Sequence, residues 1–317
     1  MDLLIGVPQG SVLGPLLFLI YINDLVYSVD MHSCLFADDT TLSISSDSLS
    51  QTIVNFSRQL IPFLDWVKYN QLTINWSKTK LMFITKQRAV RPNFLVIDGC
   101  YVDVVDEFKL LGILIDHNLF FNKFVDRLKS TVNQKLYSIK RLFYLSLNIK
   151  VQFFKTFIQP HFDYCSSLAV YFNKTLVNRI ERFCNICLFR LTGIPFLNHS
   201  LSQQFTILKP YNLMPFKIRL FYKLNNFCYN IYNNRILSGF KNDIVSNNLG
   251  YLRHASDVKV PFERTKFGLA RLSVFLPKFI NIILVNSLNF SFPDFRNFFF
   301  SNVLILLNKF ITNFDYF

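Results

Sequence analysis

The first 57 residues of this 317-residue chain contain no lysine and no arginine, although they hold six aspartates, so all 34 basic residues lie beyond them. A secretory leader needs a basic flank before its apolar stretch, and Met1-Asp2 opens on an acid instead, so none is expected. Long apolar runs are lacking as well. The longest charge-free one, residues 12–22, is shorter than the about 20 residues that cross a bilayer, and no membrane partner is expected. The six cysteines lack the paired spacing of a zinc framework. Cys184 and Cys187 make one C-x-x-C inside a helical pattern at residues 179–191, no second pair follows, and His199 is poorly placed as a further ligand. They read as core thiols of a reducing compartment, which points to an intracellular protein of the cytoplasm, the nucleus or both.

What is present is apolar and basic. A hydrophobic content of 51% excludes wholesale disorder, and the length suffices for one or two buried cores. The net charge is +14, so an acidic head is joined to a strongly basic body. Such a division suits a metal-binding end attached to a surface that meets a phosphate backbone. Lys78, Lys80, Lys86, Arg88 and Arg91 form one candidate basic cluster. Lys123, Arg127, Lys129, Lys135, Lys140 and Arg141 form another, and solvated helix faces explain either equally well.

Residues 32–36 and 40–46 are short runs rich in apolar and β-branched side chains, with Asp38-Asp39 at their junction. They read as a β-hairpin with two carboxylates at its tip. Adjacent carboxylates repel, and a tight turn more often carries Asp or Asn followed by Gly. A divalent cation explains the pair. Mg²⁺ takes carboxylate oxygens together with substrate phosphates, and two ions about 4 Å apart stabilise both the attacking and the leaving oxygen of a phosphoryl transfer.

Upstream, Gly6 and Gly10 flank Pro8 in a turn where bare backbone can approach a ligand closely, and Gln9 offers a donor and an acceptor there. Ser11 can cap a helix over residues 12–26, with Pro15 in its first turn and Leu13, Leu16, Leu17 and Ile20 expected as buried core. The segment Ile5-Gly6-Val7-Pro8-Gln9-Gly10-Ser11-Val12-Leu13-Gly14-Pro15-Leu16-Leu17-Phe18, continued to Asn23-Asp24-Leu25 and then by Phe36-Ala37-Asp38-Asp39, resembles the palm of reverse transcriptases from non-LTR retrotransposons of the jockey and LINE type. Two motifs in order and at matching spacing carry the resemblance. It implies an RNA-directed DNA polymerase in which Asp38 ligates metal, Asp39 assists, and Gln9 and Gly10 shape the pocket of the incoming nucleotide. Two Mg²⁺ or Mn²⁺ ions, an RNA template, a DNA primer or RNA–DNA hybrid, and deoxynucleoside triphosphates are implied with it.

Further along, apolar residues at helical spacing predict a helix over residues 48–69, capped by Asp47 or Ser48 and stopped at Asn70-Gln71. In the following Leu72-Thr73-Ile74-Asn75-Trp76-Ser77-Lys78-Thr79-Lys80, Lys78 occupies the position of a lysine that in the family is proposed to protonate the leaving pyrophosphate. An exposed lysine at a strand edge is the plain alternative. Asp98-Gly99 between residues 94–97 and 101–105 predicts a hairpin with a type I′ turn. The run Lys109-Leu110-Leu111-Gly112-Ile113 resembles the family's primer-grip strands, with Leu111 and Gly112 beside the primer backbone; a bulge at Gly112 serves equally well. Amphipathic patterns at residues 121–145, 149–160 and 176–193 resemble the thumb, and residues 211–232 read as one more helix. Residues 252–281 echo the family's C-terminal pattern, without the tryptophan expected after Pro277.

The expected fold class is therefore α+β. It comprises a partial right-hand polymerase palm over residues 1–118, a helical thumb over 119–195 and a mostly helical extension over 196–317. In the family a further metal-binding aspartate comes from a strand before the glycine segment, along with the fingers. Asp2 is four residues from Gly6 and cannot lie on a separate neighbouring strand. The expectation is an N-terminally truncated polymerase whose two-metal site is incomplete and which is inactive alone. A non-catalytic nucleic-acid-binding remnant of the element is the alternative.

Overall fold

The computed structural model describes residues 6–7, 10–85, 90–139, 144–233, 275, 279–281 and 291–313. The chain is a mixture of helices and small sheets and divides into two compact units, Met1–Lys109 with Asp116–Asn118, and Leu110–Ile115 with Leu119–Phe317. The first unit opens with helix α1, Gly14–Ile22, followed by a 3₁₀ turn, Asn23–Tyr27. The Ser11 hydroxyl accepts the Gly14 amide at 3.0 Å, and Pro15 falls in the first turn, where no intrahelical amide is lost.

The expected burial of α1 is corrected. Leu13, Leu16, Leu17 and Ile20 are all exposed, Leu16 by 55% and Ile20 by 66%, and only Gly14 and Ile22 of the helix are buried. The reason lies in the packing of the unit. Its core gathers Val29, Met31 and Leu60, with Leu42, Phe56, Phe63, Leu64 and Ile97 packed against it. That cluster forms around α2, Leu49–Tyr69, whose apolar stripe is one-sided, whereas α1 is apolar on every side and only one side can be covered.

Helix α2 begins as its sequence predicts. The Ser48 hydroxyl accepts the Gln51 amide at 3.3 Å, and Asn70 closes the other end by donating its side-chain amide to the Trp66 carbonyl at 2.9 Å. Strands β1, His32–Phe36, and β2, Asp39–Ser43, pair antiparallel from His32↔Ser43 to Phe36↔Asp39. Strands β3, Phe94–Ile97, and β4, Cys100–Asp103, pair with Ile97 opposite Cys100. Between them Asp98 at φ 50° and Gly99 at φ 73° make the type I′ turn that the dipeptide predicts.

A third two-stranded sheet joins β5, Glu107–Leu110, to β6, Ile113–Asp116. The expectation of a strand running through Gly112, straight or bulged, is corrected. Leu111 at φ 46° and Gly112 at φ 89° are the two central residues of another turn with positive φ at both positions. A Cβ added at Gly112 would meet the Tyr164 ring at an ordinary 3.7 Å, so the cost of a side chain there is backbone strain rather than collision. Gly112→Ala is expected to destabilise the second unit by about 1–2 kcal/mol, read as a lower urea midpoint by circular dichroism.

The second unit is helical. Helix α3 spans Asn122–Ile139 and α4 Leu147–Phe153, which passes through a π-helical turn, Phe154–Ile158, into α5, Gln159–Asp163. The single helix expected over residues 149–160 is thus broken where Pro160 cannot donate a backbone bond. Helix α6, Lys174–Thr192, is capped by the Asn173 carboxamide, which accepts the Leu176 amide at 2.7 Å, and ends on Gly193 at φ 72°. After it come α7, Leu201–Leu208, with a Ser200/Gln203 capping box, α8, Phe216–Tyr232, and α9, Phe292–Asn313. Their buried faces share one core, in which Phe154, Phe196, Phe221, Phe279, Phe299 and Phe310 are almost wholly enclosed. Among the described residues no helix is long and apolar enough to cross a membrane.

Candidate functional site

The β1–β2 hairpin is closed by a loop of two residues, Ala37 and Asp38, with Phe36↔Asp39 as the last pair. Asp38 therefore stands in the loop and Asp39 opens β2, which puts both carboxylates at one tip. Ala37 takes φ 53°, a left-handed conformation that costs a residue with a Cβ about 1–2 kcal/mol. Alternate residues Ser33 and Leu35 are half-buried, and Leu42 packs on the unit's core, so the strands are anchored while the tip is solvent-facing. Asp38 and Asp39 are both exposed.

Two hard anionic groups are the donor type that Mg²⁺ or Mn²⁺ takes, and Mg²⁺ is commonly held by one or two carboxylates plus waters and phosphates. The chemistry of the pair fits such an ion. Its number does not complete a cage, since no group of three or more His, Cys, Asp or Glu side chains able to hold a metal occurs among the described residues.

Lys78 is exposed and stands in a turn rather than at the strand edge expected for it. The turn is built by Asn75, whose carbonyl accepts the amides of Lys78 at 3.1 Å and Thr79 at 3.0 Å. The Asn75 side-chain oxygen takes the Ser77 hydroxyl at 2.7 Å. An Asn followed by Ser and Thr is the signature of such a turn, and the sequence signal was there to be read. Beyond it, Leu81 bridges to Val104, and Lys80 pairs with Asp103 at 2.7 Å. Lys78 itself makes no ion pair among the described residues.

Gly10 is exposed at φ 81°, a conformation open to glycine, and Gln9 and Pro8 lie outside the described residues. Lys86, Arg88, Lys140, Arg141 and residues 252–274 lie outside them too. Leu111 and Gly112 belong to the second unit, where Tyr164 fixes their turn by donating its hydroxyl to the Leu111 carbonyl at 2.5 Å. The sequence carries no local signal for that bond, because the partners are 53 residues apart.

All six cysteines are free. Cys184, Cys187 and Cys228 are buried, and burial pushes their thiols up, Cys187 to about 12. A thiol whose folded value is raised stays protonated and unreactive until pH climbs through that value. Iodoacetamide at about pH 8 is therefore expected to alkylate the exposed Cys34 first and to reach the three buried thiols only after denaturation. Mass spectrometry of tryptic peptides reads the order.

Residues 4–115, which include the glycine segment, the hairpin and the Lys78 turn, match the family described as reverse transcriptase (RNA-dependent DNA polymerase). Asp38 and Asp39 lie inside the matched residues. Over 198 residues it is 28% identical to a probable RNA-directed DNA polymerase from transposon X-element of Drosophila melanogaster, covering 59% of this chain and 22% of the relative. It is 27% identical over 202 residues to the RNA-directed DNA polymerase from mobile element jockey of the same fly, and 26% identical over 203 residues to that of Drosophila funebris. Each of these alignments covers 60% of this chain and 22% of the relative. The chain spans about a fifth of the length of these relatives. No solved structure matches it.

Proposed function

We propose that the Asp38–Asp39 tip is the metal-ligating carboxylate element of RNA-templated DNA synthesis, and that this chain holds only part of the machinery. The observation that carries the reading is the placement of two adjacent exposed carboxylates at one hairpin tip, Asp38 in the two-residue loop and Asp39 at the start of β2, inside the matched segment. Bound divalent ions would lower the cost of charge developing on the attacking and leaving oxygens. Asp38 holds metal and Asp39 supports it. Lys78 stands free to give a proton to the leaving pyrophosphate, Gln9 and Gly10 line the place of the incoming nucleotide, and the Leu111-Gly112 turn meets the primer. The partners are an RNA template, a DNA primer or its hybrid, and deoxynucleoside triphosphates. Residues 1–118 act as palm, 119–195 as thumb and 196–317 as an extension, in a protein that works inside the cell.

Since two carboxylates do not complete a two-ion cage, the chain alone is expected not to extend a DNA primer on an RNA template with Mg²⁺ or Mn²⁺. Extension that Asp38→Asn abolishes would overturn the claim of inactivity. Metal binding is tested without turnover. Mn²⁺ is expected to broaden the amide resonances of residues 36–40 in the native chain and to leave them sharp in the Asp38→Asn/Asp39→Asn double variant; equal broadening in both would remove the metal role.

The confinement of every basic residue to positions beyond 57 favours a second reading, a non-catalytic nucleic-acid-binding remnant. In that case RNA–DNA hybrid affinity should fall about a thousandfold between roughly 50 and 200 mM salt, with no change on replacing Asp38 and Asp39.

A further inference from the structure

Asp98-Gly99 is the only aspartate–glycine dipeptide in the chain, and asparagine is nowhere followed by glycine. An aspartyl side chain can be attacked by the backbone nitrogen of the next residue, which closes a five-membered imide. Glycine favours that step because it has no side chain to hinder the approach. The turn between β3 and β4 exposes both residues, and it leaves them outside the ladder, since Ile97↔Cys100 is the last pair. The Gly99 amide therefore has no strand partner, and a Cβ built on Gly99 would meet nothing within 4 Å. The attacking nitrogen is free and unobstructed.

Other aspartates meet less favourable settings. After Asp116, the His117 amide is donated to the Asp106 carbonyl at 2.9 Å, and after Asp103 the amide of the branched Val104 is donated to the Asn93 carbonyl at 2.9 Å. Asp65 and Asp126 sit inside α2 and α3, where the following amide belongs to the helix. Asp98 differs in its backbone as well. Its φ of 50° holds a residue with a Cβ in the left-handed region, and a link through the side chain, longer by one carbon, removes that demand.

We propose that Asp98 is a site of spontaneous aspartate isomerisation, and that the product loosens the first unit. The Gly99 nitrogen attacks Cγ of Asp98; a Cγ–N bond forms, the Cγ–O bond breaks, and the hydroxyl leaves with the amide proton as water. Water then opens the imide. Cleavage between nitrogen and Cγ returns aspartate, whereas cleavage between nitrogen and the Asp98 carbonyl carbon gives isoaspartate, in which the chain runs through Cβ and Cγ and the α-carboxylate is free. The turn gains one methylene in its backbone, so it no longer matches the closing pair Ile97↔Cys100. Ile97 packs on the cluster of Val29, Met31 and Leu60, and Leu81 is bonded to Asp103 and Val105 beyond the fully buried Val102. A change at the exposed tip thus bears on the first unit's core. The carboxylates of the β1–β2 hairpin take no part, so the outcome leaves the polymerase reading where it stands.

The test is incubation of the full chain for several weeks at neutral pH, folded and in urea, followed by tryptic digestion and electron-transfer fragmentation, which tells isoaspartate from aspartate at each residue. In the folded chain isoaspartate is expected to form at residue 98 faster than at any other described aspartate, and within about tenfold of its rate in the urea-unfolded chain. Asp98→Asn, which suits the same turn, should give isoaspartate at least about tenfold faster with release of ammonia. Asp98→Glu, which would need a six-membered ring, should not react. The separated isoaspartate form should unfold at lower urea than the unreacted chain. Reaction at residue 98 more than about tenfold slower than in the unfolded chain, or equal reaction at another described aspartate, would overturn the site. An unchanged urea midpoint would overturn its link to the core.

Discussion

Asp163→Ala is expected to remove about 3–5 kcal/mol of stability, enough to abolish a cooperative native state of the second unit in a marginal domain. The carboxylate is the counter-ion of Arg219, which lies 5% exposed and donates from Nε to Asp163 at 2.6 Å and from another nitrogen to the Met214 carbonyl at 3.2 Å. The remaining donor faces the Cys184 sulfur at 3.6 Å. Burial raises the Cys184 thiol more than the nearby guanidinium lowers it, so that group stays neutral and cannot stand in for the lost anion. With alanine at 163, a permanently charged guanidinium is left enclosed without compensation. Lys223, 3.7 Å from the other carboxylate oxygen, is two-fifths exposed and simply turns to water. Urea unfolding followed by circular dichroism measures the loss. The double variant Asp163→Ala/Arg219→Met should recover most of it, because a buried pair costs more to break than to replace by apolar groups. A single variant that melts like the native chain would show that the pair contributes no stability.

Phe221→Ala is expected to cost a similar amount, about 3–5 kcal/mol. Its ring is fully buried on α8, with centroids 5.1 Å from Phe310, 5.6 Å from Phe299 and 6.2 Å from Phe279, all in tilted arrangements. Truncation removes the transfer energy of the ring, leaves a void and deletes three aromatic pairs worth about 0.5–1.5 kcal/mol each. Because that void would be lined by other rings, it should stay dry and accept a small apolar molecule. Benzene added to the variant is expected to raise its melting temperature and to leave the native protein unchanged. The absence of that difference would mean that neighbouring rings had collapsed into the space.

What the sequence makes legible is what is local. Ser48 as a cap, Asn70 as a helix stop and Asp98-Gly99 as a type I′ turn all depend on a few neighbouring residues, and all are observed. The hairpin with Asp38 and Asp39 at its tip is legible for the same reason. Burial of α1 was not, because an apolar run reports that a residue can be buried and not whether the fold supplies a cover. Pairings between distant segments leave no periodic trace. Tyr164 finds Leu111 across 53 residues and Arg219 finds Asp163 across 56, and neither partner looks unusual in its own stretch of chain. The setting of Lys78 is a different case. The turn at Asn75 was written in the sequence, and the strand-edge alternative overlooked it.

The unequal size of the two cores bears on how the molecule ages. Three buried side chains hold the first unit's cluster, whereas an extended assembly of aromatic rings holds the second. Backbone amides in the hairpins and α2 can therefore meet solvent through small openings that leave α6 and α8 shut. Deuterium should enter the amino-terminal amides long before those of the phenylalanine-rich helices. A protease would follow the same route, trimming away the carboxylate tip while the helical remainder persists as a stable fragment.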